Sequence, residues 1–100
     1  MTYRGAQNLI KRGDEPTLRA ALDAGLDPSL ANQNGWTLLM LAAVEGSVPI
    51  ARLLIEKGAS VNARNNKQES ALDLAAHRGY TLLVELLTAN GASADSSAQR

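Results

Sequence analysis

Six glycines at one fixed interval constrain the fold of this chain more than any other feature. They form two evenly spaced series with the same period: Gly13, Gly46 and Gly79, and Gly25, Gly58 and Gly91. Two interleaved series with the same period indicate that one structural unit occurs three times within 100 residues. A unit of about 33 residues is a supersecondary element that buries its apolar face only against its neighbours, so the sequence predicts a stacked repeat.

Alignment of the second unit with the third supports this period. Placing Thr37–Asn62 on Ser70–Asp95 gives ten identities in 26 positions. Nearly all of them are apolar residues or glycine, which set packing and backbone shape: Leu39/Leu72, Leu41/Leu74, Ala42/Ala75, Ala43/Ala76, Gly46/Gly79, Leu53/Leu86, Leu54/Leu87, Gly58/Gly91, Ala59/Ala92 and Ser60/Ser93. The first unit aligns more loosely, although Pro16 and Pro49 also lie one period apart.

The composition favours helices and argues against several classes of function. Apolar residues make up 45% of the chain, with one Trp and no Phe, whereas strands would be expected to carry more β-branched and aromatic residues. Ten basic and ten acidic residues give a net charge of zero, which argues against a general binder of nucleic acid or anionic membranes. The chain has no cysteine, its N-terminus has no apolar h-region, and no apolar stretch approaches the length of a membrane span. We therefore expect a cytoplasmic protein without disulfides.

The middle unit carries the clearest helix signals. Thr37 is a suitable N-cap for a helix over Leu38–Glu45, and Gly46 ends that helix because glycine adopts the left-handed conformation without a Cβ clash. Ser47 caps a second helix with apolar residues at helical spacing, which stops at Gly58. By the same reasoning Gly58 is predicted to have a positive φ.

The other two units repeat this arrangement. In the third, Ser70 caps a helix over Leu72–Arg78, and a second helix ends before Gly91. In the first, one helix runs from Thr2 or Tyr3 to Arg12, and a second covers Pro16–Ala24. Each unit is therefore predicted to be a helix, a tight turn, an antiparallel helix and an extended loop.

These units resemble the ankyrin repeat, whose pattern is Gly-x-Thr-Pro-Leu-His-x-Ala-Ala, then Gly, then Val-x-Leu-Leu, then Gly-Ala-Asp-x-Asn. The second unit matches it at Gly35, Thr37, Leu39, Ala42, Ala43, Gly46, Leu53, Leu54, Gly58, Ala59 and Asn62. The third matches at Leu72, Ala75, Ala76, Gly79, Leu86, Leu87, Gly91 and Ala92. The first matches only at Gly13, Gly25 and Asp27, as expected of an N-terminal cap.

The resemblance covers roughly residues 2–93 and implies the architecture. It implies an all-α fold of three stacked ankyrin-type helix-turn-helix repeats with hairpin loops, at about residues 1–31, 32–64 and 65–93. Residues 94–100 are then expected to form a disordered tail. The initial Met and the polar ends favour a complete three-unit protein over a piece of a longer one.

Two departures from the family pattern concern the loops. Where the family has Thr-Pro-Leu-His, with a Thr and a His that brace the loop by hydrogen bonds, this chain has Thr37–Met40 and Ser70–Asp73. Met40 is expected not to form such a bond, whereas Asp73 could accept one from Ser70 or from a backbone amide. Gln68 replaces the hairpin glycine, so the second hairpin is expected to be distorted.

The residue types that carry catalysis are scarce. His77 is the only histidine and is expected to be a solvated residue late in its helix, and with no cysteine a zinc site lacks its usual ligands. Asp14 and Glu15 are interpreted as helix-cap residues rather than a paired acid and base. Ser70 and His77 lie two helical turns apart, too far for a nucleophile and its base. The sequence predicts no enzyme activity, no metal and no cofactor.

The resemblance implies a protein-binding surface made of the hairpin tips and the exposed concave side of the first helices. Carried over by position, the tips are Gln33, Asn34, Trp36, Asn66, Lys67 and Glu69. The helix side contributes Lys11, Arg12, Val44, Glu45, His77 and Arg78. Trp36 either packs against the neighbouring hairpin or Tyr3 or anchors an interface, and both can hold, because Trp is enriched at binding hot spots.

The function expected from this surface is recognition of another protein by a monomer. One form of it is a stand-alone inhibitor or immunity-type protein that docks on one enzyme or toxin. The alternative, from a different class, is a structural adaptor or a fragment of a larger ankyrin scaffold whose ends stack on further units.

Overall fold

The computed structural model describes residues 1–92 and contains, over that range, six helices and no strand. The helices are α1 (Tyr3–Arg12), α2 (Glu15–Asp23), α3 (Leu38–Glu45), α4 (Val48–Glu56), α5 (Ala71–His77) and α6 (Thr81–Ala89). An isolated bridge between Ala31 and Thr37 closes the loop that precedes α3. The tail predicted at 94–100 lies outside the described residues.

Short polar side chains fix where the helices begin. Five N-cap side chains accept a hydrogen bond from the N–H three residues further on: Thr2, Asp14, Thr37, Ser47 and Ser70. Each of these bonds satisfies one backbone donor that has no partner within its helix. Because Ser70 is the N-cap, α5 begins at Ala71 rather than at the predicted Leu72, and it ends at His77. With Asp14 as N-cap, α2 covers Glu15–Asp23, likewise one residue earlier at each end than the predicted Pro16–Ala24.

Glycines with a left-handed backbone reverse the chain within each unit. Gly46 follows α3 with φ 70, and its N–H donates to carbonyls in the last turn of that helix. Gly58, after α4, has φ 100, so the predicted positive φ is confirmed. Since a Cβ is strained in this region, the glycine period marks the turns that the units need.

The six helices pack in two rows, which share one apolar core. The first helices of the units, α1, α3 and α5, lie side by side, and so do the second helices, α2, α4 and α6. The side chains buried between and within the rows are mainly leucine and isoleucine: Ile10, Leu18, Leu38, Leu39, Ile50, Leu53, Leu54, Leu83 and Leu87, with Met40. The stack measures 40 × 27 × 20 Å. In residues 1–92 no helix combines the length and the apolar character needed to cross a membrane.

Met40 takes a part in the loop that the sequence did not predict. Its N–H donates to Thr37 Oγ1 at 3.2 Å, and its Sδ accepts the Thr37 N–H at 3.5 Å. In the third unit Asp73 Oδ2 accepts the Ser70 N–H at 3.0 Å, as expected. The expectation that Met40 forms no such bond is therefore wrong, because a thioether sulfur is a weak acceptor and the helix start brings it within reach.

Candidate functional site

Two hairpin loops, residues 32–37 and 65–70, project before α3 and α5 and are each organised by an asparagine. Asn32 Oδ1 accepts the N–H groups of Asn34 and Trp36, both at 2.9 Å. Asn65 occupies the equivalent place in the next unit, and its Oδ1 accepts the N–H groups of Lys67 and Glu69 at 2.9 and 3.0 Å. Sequence reasoning missed these two asparagines, although their separation by one repeat period was a usable signal.

The second hairpin keeps the shape of the first although it lacks the glycine. Gln68 has φ 65, close to the φ 80 of Gly35, which it replaces. Gln68 N–H donates to Asn65 O at 2.8 Å, and Gly35 N–H donates to Asn32 O at 2.9 Å. The predicted distortion is therefore wrong, because Gln68 adopts the left-handed backbone itself.

The two hairpins lie against each other, which orders their tips. Asn66 N–H donates to Asn34 O at 2.9 Å across the unit boundary. A Cβ on Gly35 would lie 3.0 Å from Asn65 Cα, so only glycine allows the two backbones to come this close. The tip residues thus form one continuous edge rather than two independent loops.

Trp36 is partly buried and has two surroundings. The residue packs against the hydrophobic core. It also lines an open groove of about 280 Å³, together with Asn34, Asn65, Asn66 and Lys67. Trp36 therefore has one contact with the core and one with the groove, and its role as an interface anchor stays a prediction.

The predicted helix-side residues lie at the ends of α1, α3 and α5. Five of them are exposed, whereas Val44 is partly buried. Arg12 Nη2 lies 3.6 Å from Asp14 Oδ2 in the turn after α1. The pKa of the Asp14 carboxyl is held below its usual value, first by the hydrogen bond from Thr17 and to a smaller extent by Arg12. None of the twelve predicted site residues is buried in the core.

The arrangement is suited to binding over an open surface. Ser70 is only 1% exposed, and its hydroxyl accepts the Asp73 N–H, so it is occupied as a helix cap. His77 is exposed at the end of α5. In residues 1–92 no three His, Cys, Asp or Glu side chains come together as a metal site.

Comparison with known proteins bears on the whole chain rather than on single residues. The model of a family described as ankyrin repeats (three copies) matches residues 7–98. Repeats of this family are generally protein–protein interaction modules and are typically not enzymes. No curated protein matches the sequence.

Proposed function

Because this chain belongs to the ankyrin repeat family, we propose that it binds a partner protein through the face made by its two hairpins and the first helices of its units. We refer to this surface as the hairpin face. Its residues are Lys11, Arg12, Gln33, Asn34, Trp36, Val44, Glu45, Asn66, Lys67, Glu69, His77 and Arg78.

The observation that carries the proposal is the setting of Trp36. Trp36 packs against the core and also lines a groove of about 280 Å³. A side chain that is already ordered loses little conformational entropy when a partner covers it, so its apolar surface contributes efficiently to affinity.

The rigidity of the hairpins supports the same conclusion. Asn65 is 3% exposed and ties the second hairpin together with three side-chain hydrogen bonds, and the Asn66–Asn34 bond joins the two tips. A preorganised edge presents backbone and side-chain polar groups in one fixed pattern, which a partner can match without an ordering cost.

The finer predictions belong to this proposal. They are that the partner is another protein, that the molecule acts as a cytoplasmic monomer without cofactor or enzymatic activity, and that it serves as a stand-alone inhibitor or immunity-type protein. The unit limits of about 1–31, 32–64 and 65–93 are part of it as well.

The experiment compares one variant on the hairpin face with one on the second-helix row. A partner captured with the wild-type protein is titrated calorimetrically against Trp36→Ala and Arg52→Ala. Arg52 is an exposed residue of α4. We expect Trp36→Ala to weaken binding at least tenfold, since truncating such an anchor commonly costs about 2 kcal/mol or more, and Arg52→Ala to leave the affinity nearly unchanged.

Two outcomes would contradict the assignment. If Arg52→Ala abolishes binding and Trp36→Ala does not, the second-helix row is the working surface. Thermal unfolding of both variants is measured alongside, because a Trp36→Ala protein that no longer folds would assign that residue to the core alone. In that case Trp36→Phe, which keeps an aromatic ring in the groove, provides the test of affinity.

A further inference from the structure

Six exposed or partly exposed residues at the ends of the first helices form three rungs with ordered charge. Lys11 and Arg12, Val44 and Glu45, and His77 and Arg78 occupy the same two positions of successive units, one repeat period apart. Because α1, α3 and α5 pack side by side in that order, the rungs lie in a line across the stack. With a neutral histidine, the charged groups along this line are two cations, one anion and one cation. We call this set the charge ladder.

The two rows of the molecule carry opposite net charge, and the ladder supplies three of the six cations of the first-helix row. The hairpin and first-helix segments, residues 1–13, 28–46 and 59–78, contain six cations and three anions. The second-helix segments, residues 14–27, 47–58 and 79–92, contain three cations and six anions. Although the formal net charge of the chain is zero, the hairpin face itself is positive, since it carries Lys11, Arg12, Lys67 and Arg78 against Glu45 and Glu69. Glu45 is the exception within the ladder.

Internal ion pairs occur in both rows but leave most of the ladder available. Within the first-helix row Arg64 Nη1 lies 3.5 Å from Asp73 Oδ2. In the second-helix row Arg19 lies 2.8 Å from Glu15 and 3.8 Å from Glu56, and Lys57 lies 2.6 Å from Asp23. In residues 1–92, by contrast, Lys11 and Arg78 have no carboxylate within 4.0 Å, and Glu45 has no cation within that distance. Arg12 contacts Asp14 at 3.6 Å but keeps 64% of its side chain exposed.

From this pattern we infer that the partner of the hairpin face presents an acidic, then basic, then acidic sequence of charges to the ladder. The inference rests on the proposed function and adds the chemistry of the partner. Helices in contact lie about 8–10 Å apart, so α1 and α5 are separated by roughly 16–20 Å. An extended segment advances about 3.3 Å per residue, so its two acidic positions are about five or six residues apart, with the basic residue between them.

The ladder contributes more to the specificity of binding than to its affinity. Exposed ion pairs contribute little affinity individually, because water and salt screen them. An unpaired Glu45 opposite a carboxylate is repulsive, so the middle rung discriminates against a uniformly acidic segment that the outer rungs would accept. This surface therefore distinguishes partners by the order of their charges rather than by their net charge.

The test uses three peptides of equal length and does not need the natural partner. The first peptide has a central Lys with one Asp-Glu pair on each side of it. The second peptide replaces that Lys by Glu, and the third reverses every charge of the first. Binding to the isotopically labelled protein is followed by amide chemical shifts at low salt. We expect the first peptide to bind at least fivefold more tightly than the third and more tightly than the second, with shifts concentrated on the ladder.

Charge-reversal variants separate order from net charge. Arg78→Glu should remove the preference for the first peptide over the third, and Glu45→Lys should make the uniformly acidic peptide the tightest ligand. Arg52→Glu changes the net charge by the same amount as Arg78→Glu but lies on the second-helix row, so it should leave the order of affinities unchanged.

Equal binding of the first and third peptides would overturn the inference, and so would an Arg52→Glu effect as large as that of Arg78→Glu. These results are distinct from failure of the proposed function. If partner binding depends on Trp36 but the peptides show no preference, only the inference about the charge ladder is contradicted. If the peptide preference is preserved but partner binding depends on Arg52, the hairpin face is wrongly assigned, whereas the charge preference of the ladder stands.

Discussion

Gln68 is the residue where this chain departs most clearly from ordinary backbone preference. It is the only described non-glycine residue with a positive φ, at 65. Its carbonyl accepts a hydrogen bond from Arg64 Nη1 at 2.8 Å, and its N–H donates to Asn65 O. For a residue with a Cβ the left-handed region costs roughly 1–2 kcal/mol, so the bonds of the hairpin hold Gln68 in a conformation that it does not favour.

Gln68→Gly is expected to stabilise the protein by about 0.5–1 kcal/mol. Glycine removes the left-handed strain, and its greater freedom in the unfolded chain offsets part of that gain. The matched control is Gln33→Gly at the exposed tip of the first hairpin, where φ is not positive. That variant should lose stability. The free energies of unfolding of the two variants are compared by chemical denaturation. A destabilised Gln68→Gly protein would contradict the conclusion that Gln68 is strained.

At the scale of the element, the helices depend on the loops that precede them. The described helices run from seven to ten residues, and isolated helices of that length are marginal in water. Hairpins and caps therefore supply order that the helices lack. The two hairpins are not equal, however: Asn65 is 3% exposed and makes three side-chain bonds, whereas Asn32 is partly exposed and makes two.

Asn65→Ala is expected to destabilise the protein by about 2–3 kcal/mol, and Asn32→Ala by about 1 kcal/mol. The difference arises because Asn65 is buried and its loss breaks three bonds, which water replaces less readily than the two bonds of the partly exposed Asn32. Urea unfolding of the pair provides the comparison. Asn65→Asp refines it, since the carboxylate keeps both acceptor bonds but cannot donate to Glu69 Oε1. Equal losses for the two alanine variants would show that burial of the hairpin does not matter.

At the scale of the whole molecule, the position of a unit in the stack decides what its residues bury. Ala43 is 1% exposed, whereas the identical Ala76 in the third unit is exposed. Leu53 is likewise 1% exposed, and its counterpart Leu86 is only partly buried. The middle unit has a neighbour on each side, so it contributes to both interfaces of a stack with nearest-neighbour energetics.

Deletion of residues 70–100 is expected to give a largely unfolded product. The deletion removes α5 and α6 and with them one of two interfaces between units, and it exposes Met40, Ala43 and Leu53, which are at most 1% exposed in the whole chain. The remaining interface buries too little apolar surface to offset the conformational entropy of ordering the rest. Circular dichroism during heating is the measurement, with the full chain as reference. A cooperative thermal transition in the shortened protein would contradict this expectation.

The sequence by itself determined the fold family, the three units and the limits of α1 and α3, and it placed α2 and α5 to within one residue. Gly46 and Gly58 show why. A left-handed backbone favours glycine whatever the rest of the fold, so glycine occurs at each such turn at a fixed period. Cap residues act locally too, and α3 therefore has the predicted limits Leu38–Glu45. Turns and helix caps can therefore be predicted from the sequence without knowing their tertiary contacts.

Only the tertiary structure decided what depends on contacts between distant residues. It packed Trp36 against the core and beside a groove, and it joined the two hairpins through the bond from Asn66 N–H to Asn34 O. The charge ladder belongs to the same class: its order is written at the repeat period, but the alignment of its rungs follows from the packing of the first helices. Such properties are cooperative, since each is fixed by the packing of the folded chain around it, and no local pattern of residues encodes them.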